Sequence, residues 1–460
     1  MQREIVEERP GRPGTWLQRH GLTRRRAVLH LGAGAGTAAA ALTACNQGQE
    51  SGRTESPPAK TLAPAKLVWA YWGNQEQAAV REEVFAAIQQ RFPQLTIDKL
   101  HHTGGLDDHF AKVQVMVSSG SGLDLFMSSP IWVPNLAERS LYQPLDRLMA
   151  RDKFPTQEWS KAALEAFSYR KQQYALPEIL NYATVVYNQE VFAQAGEKPP
   201  PADWTWDQFV QVAQRLTVRQ GSAASRWGIG PVSADLNNTL PWIWSNGGKI
   251  FDDEQDPKRS TFNTAAVADA VQWRADWAQR LGIAPKPDEI TQPGDPFVQG
   301  FLAMGLTTVA GFATLAKNIT AFTWDVAPLP RGKEGRFNFA GSAAQGLASG
   351  SKVVDQAWQV LQFQGSRDGL VPYMRAQWGV PPLLSLAQQD YLQLPGPPAN
   401  RRAVVESLAT LRTLPKMPAM LELYNQVYGT ELGNVYAGKR TARDAAVDID
   451  TQVQSKLSGK

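Results

Sequence analysis

The chain has 460 residues, enough to bury two sizeable cores, so two lobes are the default expectation. Its 43% hydrophobic and 20% charged content is ordinary for a soluble globular protein. The net charge of +4 comes entirely from residues 1–44, which hold seven Arg, no Lys and three Glu; the other 40 basic and 40 acidic side chains balance, which removes the basic face that a nucleic-acid partner requires.

A single cysteine, Cys45, rules out an intramolecular disulfide and a Cys-based metal site. Its position gives it a different meaning. Residues 1–26 are polar and end in Thr23-Arg24-Arg25-Arg26, a Gly/Ala-rich apolar run covers 27–41, and Leu42-Thr43-Ala44-Cys45 follows. That is the order of a secretory signal, with small residues at the cleavage site. The last four residues resemble a lipobox, in which the thiol after the cut is alkylated with diacylglycerol and becomes a membrane anchor. Read as a transmembrane helix, the same run is too rich in Gly and Ala to gain much transfer energy. Thr23-Arg24-Arg25 resembles a twin-arginine signal, but Ala27 stands where that motif has a bulky apolar residue and Leu29 where Lys is common; ordinary secretion is the alternative. Residues 1–44 are therefore expected to be a signal peptide, and 45–65, rich in Gly, Ser, Pro and Gln, a flexible tether.

From there the elements follow in order. Leu67-Val68-Trp69-Ala70-Tyr71 predicts an opening strand. Val80, Val84, Phe85, Ile88 and Phe92 recur at helical spacing until Pro93 stops the helix. Leu95 and Ile97 mark a second strand, Phe110, Val113 and Val117 a second helix capped by Gly120, and residues 123–127 a third strand. Strand–helix–strand–helix–strand predicts an α/β fold with a mainly parallel sheet. The pattern restarts at Val185-Val186-Tyr187, with Asn188 as a helix cap and Gly196 as its end. Thr205-Trp206-Asp207-Gln208 reads as a capping box, and an amphipathic helix covers residues 265–281. The last third is helical by pattern, interrupted by Gly/Pro clusters such as residues 395–398. No repeat of fixed period is present.

A search for chemistry finds neither a G-x-x-x-x-G-K-[ST] loop nor a G-x-S-x-G elbow. The Gly32–Gly36 run belongs to the signal, and Asp252-Asp253-Glu254 reads as a charged surface turn. Of the five His, His20 and His30 fall in the signal, while His101, His102 and His109 straddle Gly104-Gly105 and read as a solvated loop with no metal-ligand spacing. The fifteen Trp say more. Trp69, Trp72, Trp132, Trp242, Trp244, Trp324 and Trp378 fall at predicted turns beside strand ends, where flat faces stack on sugar rings; core packing is the competing reading for each. Trp206, Trp273 and Trp277 sit on helix faces and are assigned to the core.

With these segments in place the chain resembles the family 1 extracellular solute-binding proteins, the group that includes maltose-binding protein. The likeness runs from Leu67 to Leu457. It rests on Leu67-Val68-Trp69 with Arg91-Phe92-Pro93, on the turn 118–125 with Leu123 replacing the usual Pro, and on Leu141-Tyr142-Gln143-Pro144-Leu145-Asp146, which lacks the family's Gly. It continues through Leu176-Pro177, Val186–Phe192, Ala195-Gly196, Pro199-Pro200, Thr205–Phe209, Pro241-Trp242, Ser245–Gly248 and Gly300–Met304. The resemblance implies a two-lobe periplasmic-binding-protein fold of type II character, with two mainly parallel sheets flanked by helices and a hinge between the lobes. Lobe 1 is expected over 66–178 and 325–368, and lobe 2 over 179–324 and 369–460, with crossings near 175–181, 322–330 and 365–372. It implies a monomer that binds a small solute, a sugar or oligosaccharide, and delivers it to ABC permease membrane subunits, with no cofactor, metal or nucleic acid. Carried over by position, the ligand residues are Trp72, Asn74, Gln75, Ser129, Trp132, Glu178, Asn181, Trp242, Trp244, Phe312, Ser342 and Trp378, with Trp242, Trp244 and Trp378 as the leading stacking platforms.

A rival of another class is a lipid-anchored glycosidase, which needs two carboxylates facing one sugar bond. Glu178 is the one acid that this reading places in the cleft. A purely structural or adhesive surface protein is the third reading. The lack of an Arg/Lys cluster at the expected cleft disfavours a phosphorylated ligand.

Overall fold

The computed structural model describes residues 62–221, 223–290 and 292–459. The expected signal peptide, Cys45 and all but the end of the tether lie outside the described residues.

The opening strand, Ala65–Trp72, buries Leu67, Trp69 and Tyr71 on one face, as the period-2 pattern requires. It leads into the helix Gln75–Arg91, started by a reciprocal capping box between Asn74 and Gln77. That helix lays Arg81, Val84, Phe85 and Ile88 against the sheet. Strand Leu95–His102, helix Leu106–Ser118 and strand Leu125–Ser128 follow, with the helix ending at Gly120 in the left-handed region (φ +67°). Both outer strands pair in parallel with the first. The sheet is completed by Gly341–Leu347, antiparallel to Leu125–Ser128, and by Ala175–Asn181 at its edge.

One residue, Tyr182, separates that edge strand from Ala183–Asn188, the centre of a second sheet. Its neighbours Met304–Thr308 and Trp324–Ala327 both run antiparallel to it. The first sheet therefore combines two parallel with two antiparallel pairings and this ladder is antiparallel throughout, so the α/β lobes are as expected but their sheets are less parallel than expected. The central strand enters straight from the first sheet, without the crossover helix that builds a parallel pair. Asn188 caps the helix Gln189–Gln194, Thr205 and Gln208 form the expected capping box of Trp206–Leu216, and Ala265–Gln279 is the amphipathic helix read from the sequence.

Two of the expected lobe limits move. Trp324–Ala327 pairs wholly within the second sheet, so the chain returns to the first lobe after Ala327 rather than at 325. The helix Arg367–Arg375 packs on Gln75–Arg91, with Tyr373 under the Arg81 guanidinium, so the last crossing follows Arg375 rather than 368. Past it, Val380 and Leu180 exchange backbone hydrogen bonds of 2.8 and 2.9 Å, which ties the third crossing to the first.

Candidate functional site

In an open α/β sheet the natural ligand crevice lies beyond the carboxyl ends of the parallel strands. Here those ends are Trp72-Gly73-Asn74 and Ser128-Ser129-Pro130. Ser129 is half-buried and extended, and opens the short 3₁₀ turn Pro130–Trp132. Trp132 has no exposed surface; its ring packs on Phe110 (4.8 Å between centroids) and His109 (5.8 Å), and its indole N–H is buried without a partner. Three residues on, the Asn135 amide donates to the Pro418 carbonyl (3.4 Å), while its own Oδ1 is likewise buried and unpartnered.

Pro418 leads into the helical turn Met420–Leu423, which packs on the 3₁₀ turn of Trp132. The next residue, Tyr424, donates its hydroxyl to Asp235. Asp235 is the N-cap of the helix Leu236–Ser245, its other oxygen accepting the Asn238 N–H at 3.1 Å. Burial first, and the neighbouring Asp235 carboxylate second, push the Tyr424 phenol well above its usual range, so it stays a neutral donor. In the same first turn the Asn237 Oδ1 is a third buried polar atom with no partner. Unpaired buried polar atoms are costly and call for an explanation. Three of them, one N–H and two carbonyl oxygens, stand on elements that meet along residues 418–424.

Sequence reasoning named Ser129 and Trp132 but missed Asn135, Asp235, Asn237 and Tyr424. The available signal was the Asp235-x-Asn237-Asn238 cluster just ahead of an apolar run, which reads as a polar helix start.

The other expected residues fall in several places. Trp72 is half-buried at the first-lobe strand end, whereas Asn74 and Gln75 are exposed at the start of the helix, with Asn74 Oδ1 engaged as a cap on the Gln77 N–H (2.9 Å). Asn181 stands at the first crossing and accepts the Ala310 N–H (2.9 Å). Ser342, at a bulge in its strand, donates to the Ile179 carbonyl. Trp378 is half-buried against Tyr373 (5.5 Å) beside the tied crossing.

Four assignments need correction. Trp242 and Trp244 sit inside a helix rather than at a turn, and every residue of that helix from Thr239 to Ser245 is buried. Trp242 is 2% exposed, boxed by Trp206, Phe209, Trp273 and Trp277 at centroid distances of 5.2 to 6.0 Å. Trp244 is equally enclosed and donates its indole N–H to Glu254 (2.9 Å). Phe312 packs on Trp324 in the core of the second lobe. Glu178, 2% exposed, is clasped by Arg81 (2.7 and 3.1 Å) and by the amides of Gln345 (2.9 Å) and Gln364 (2.6 Å), inside the first lobe. The polar character that suggested a cleft role for Glu178 belongs to a closed internal network.

The histidines are not in a solvated loop either. His109 is fully buried in its helix, its Nε2 donating to the Met127 carbonyl (2.9 Å) and its Nδ1 facing His102 Nδ1 at 2.7 Å. A carbonyl only accepts, so the His109 hydrogen sits on Nε2 and its Nδ1 accepts from His102. Desolvation is the main reason the His109 pKa falls to about 4. Among the described residues, no group of three or more His, Cys, Asp or Glu is placed to hold a metal ion. A groove of about 1010 Å³ opens elsewhere, between Trp159–Glu165 and Arg402–Leu411, but its Lys161 and Glu165 already pair with each other (3.5 Å).

Comparison with known proteins agrees with this architecture. Residues 72–370 match the model of the bacterial extracellular solute-binding proteins. The chain is similar to the diacetylchitobiose-binding protein of Streptomyces coelicolor (27% identity, 65% of this chain and 70% of the relative). It is also similar to the maltotriose-binding protein of Pyrococcus abyssi (22% identity, 69% and 66%). An ABC substrate-binding protein from Listeria monocytogenes, solved in complex with cycloalternan, superposes with a TM-score of 0.75 at 22% identity, covering 86% of this chain and 99% of that one.

Proposed function

Because the chain belongs to the bacterial extracellular solute-binding proteins, we propose that it is the substrate-binding component of an ABC importer, taking a neutral sugar or oligosaccharide between its lobes and delivering it to the permease. The observation that carries the ligand class is the set of unpartnered polar atoms on Trp132, Asn135 and Asn237, two of them on residues beside the aromatic side chains of Trp132 and Tyr424 in the segments that meet there. Aromatic faces with a few convergent polar groups suit sugar rings and their hydroxyls. Trp72, Ser129 and Trp378 are proposed as further contacts along the rim. No Lys or Arg stands among the residues just named, and the Asp235 carboxylate that accepts the Tyr424 hydroxyl adds a negative charge beside them, which favours an uncharged ligand over a phosphate. The ligand leaves unaltered: the one acid once assigned to the cleft has both oxygens engaged by Arg81, which argues against a glycosidase.

The leader reading belongs to the same proposal. Export through the twin-arginine route, removal of residues 1–44 and lipidation of Cys45 would hold a monomer at the outer face of the cell membrane, where the permease is reached.

A thermal-shift panel of maltotriose, diacetylchitobiose, mannobiose and glucose 6-phosphate tests the ligand class. A sugar at about 100 times its dissociation constant adds about 2.7 kcal/mol to stability and moves the melting temperature visibly. A shift with a neutral member and none with the phosphate is expected. A shift with the phosphate alone, or release of hydrolysed products from any member, would sink the proposal.

A further inference from the structure

Glu76 lies in the first turn of the helix Gln75–Arg91, and Lys317 in the last turn of Phe312–Asn318. The first helix packs on the first sheet, its Val84, Phe85 and Ile88 against Leu67 and Trp69. The second packs on the other lobe, its Phe312 and Leu315 against Val186 and Val326. Across 241 residues of sequence the Lys317 ammonium meets the Glu76 carboxylate at 2.6 Å. Each charge already suits its own helix, the anion at an N-terminal turn and the cation at a C-terminal one. Neither needs the other for its lobe to fold, and both side chains are largely solvated, at 68% and 71% exposure. The hydrogen bond with Glu76 raises the Lys317 pKa, so the ammonium stays charged at neutral pH.

We propose that Glu76 and Lys317 form an electrostatic latch that biases the two lobes toward their closed arrangement before any ligand arrives. Two charges carried by different rigid bodies meet at one range of hinge angles, so their attraction adds to the closed state alone. An exposed pair is weak, and the bias it gives is about twofold to threefold in the ratio of closed to open molecules. That is enough to make ligand uptake depend on ionic strength even when the ligand is neutral, because the latch is screened and the ligand contacts are not. The inference rests on the two-lobe fold and not on the identity of the ligand.

The test uses no sugar, which keeps its outcome separate from the ligand proposal. The ligand-free chain is treated with a carbodiimide, which joins a carboxylate to a contacting amine as an amide, at 20 mM and 500 mM NaCl. Between these the screening length drops from about 20 Å to about 4 Å. Mass spectrometry is expected to find the linked Glu76 and Lys317 peptides at low salt, with at least a threefold lower yield at high salt. Small-angle scattering of the unmodified protein, Glu76→Gln and the reversed pair Glu76→Lys with Lys317→Glu supplies the second readout. At low salt Glu76→Gln should have the larger radius of gyration, the reversed pair should regain the compact value, and high salt should erase the difference. Absence of the linked peptide at low salt overturns the latch. So does a linked peptide accompanied by identical scattering of the unmodified protein and Glu76→Gln, since the contact would then hold nothing shut.

Discussion

Truncating Glu178 to Ala separates a structural carboxylate from a ligand-binding one. In the folded chain its two oxygens receive four hydrogen bonds, two from Arg81 and one each from Gln345 and Gln364, at 2.6 to 3.1 Å. Gln345 also accepts the Trp69 indole N–H at 2.7 Å, so the network runs across three strands and two helices of the first lobe. The Arg81 side chain is 2% exposed; burial is the largest single influence and opposes its charge, yet Glu178 together with Tyr373 and Tyr71 outweighs it and holds the guanidinium pKa above its usual value. Without the carboxylate, that cation keeps the weak Met127 sulfur acceptor (3.7 Å) and the ring faces of Tyr71 (5.5 Å) and Tyr373 (5.3 Å). Removing one partner of a buried pair costs about 3–5 kcal/mol, because the other charge is left uncompensated in a low-dielectric site. Replacing both by apolar residues of similar volume, Arg81→Met with Glu178→Leu, should recover most of that loss. Urea unfolding of the three proteins, with the slopes compared for two-state behaviour, measures it. A loss under about 1 kcal/mol for Glu178→Ala, or a double variant no more stable than the single, would refute the reasoning. Unchanged stability together with lost sugar affinity would return Glu178 to the ligand.

Trp132→Ala and Trp242→Ala, both enclosed rings, should each cost about 3–5 kcal/mol in unfolding free energy, and Trp132→Ala alone should also weaken binding of the best sugar at least tenfold; titration calorimetry beside urea unfolding distinguishes them. The lowered pKa of His109 predicts that stability falls as pH drops from about 6.5, where the unfolded imidazole takes its proton, to about 4, where the folded one does. His109→Gln should flatten that acid slope in a pH series of melting curves, and an unaltered slope would show that other groups set it. Cys45→Ala should release the protein from membranes, and mass spectrometry of the membrane-bound form should find no trace of residues 1–44. Arg24→Lys with Arg25→Lys should block export if the twin-arginine route is used; unchanged export would assign ordinary secretion.

What the sequence alone determined here is local. Asn188, and Thr205 with Gln208, marked helix starts because a cap needs only residues two or three apart. Phe92-Pro93 and Gly120 marked helix ends for equally local reasons. Motif order pointed to two lobes, since each short element carries its own backbone signature. Side-chain direction was not local. Trp242 and Trp244 looked like turn residues because Pro241 and Gly247-Gly248 flank them, yet Pro241 is accommodated inside a helix whose residues from Thr239 to Ser245 are all buried. Glu178 could be placed on a crossing strand from sequence, but its partners lie 97, 167 and 186 residues away. His109 looked solvated beside two glycines until the third strand supplied the Met127 carbonyl. The candidate site itself joins Asn135 to Pro418 and Asp235 to Tyr424, pairs separated by 283 and 189 residues. Burial and partnership at such separations follow from which surfaces the folded lobes press together, and only the tertiary structure decides that.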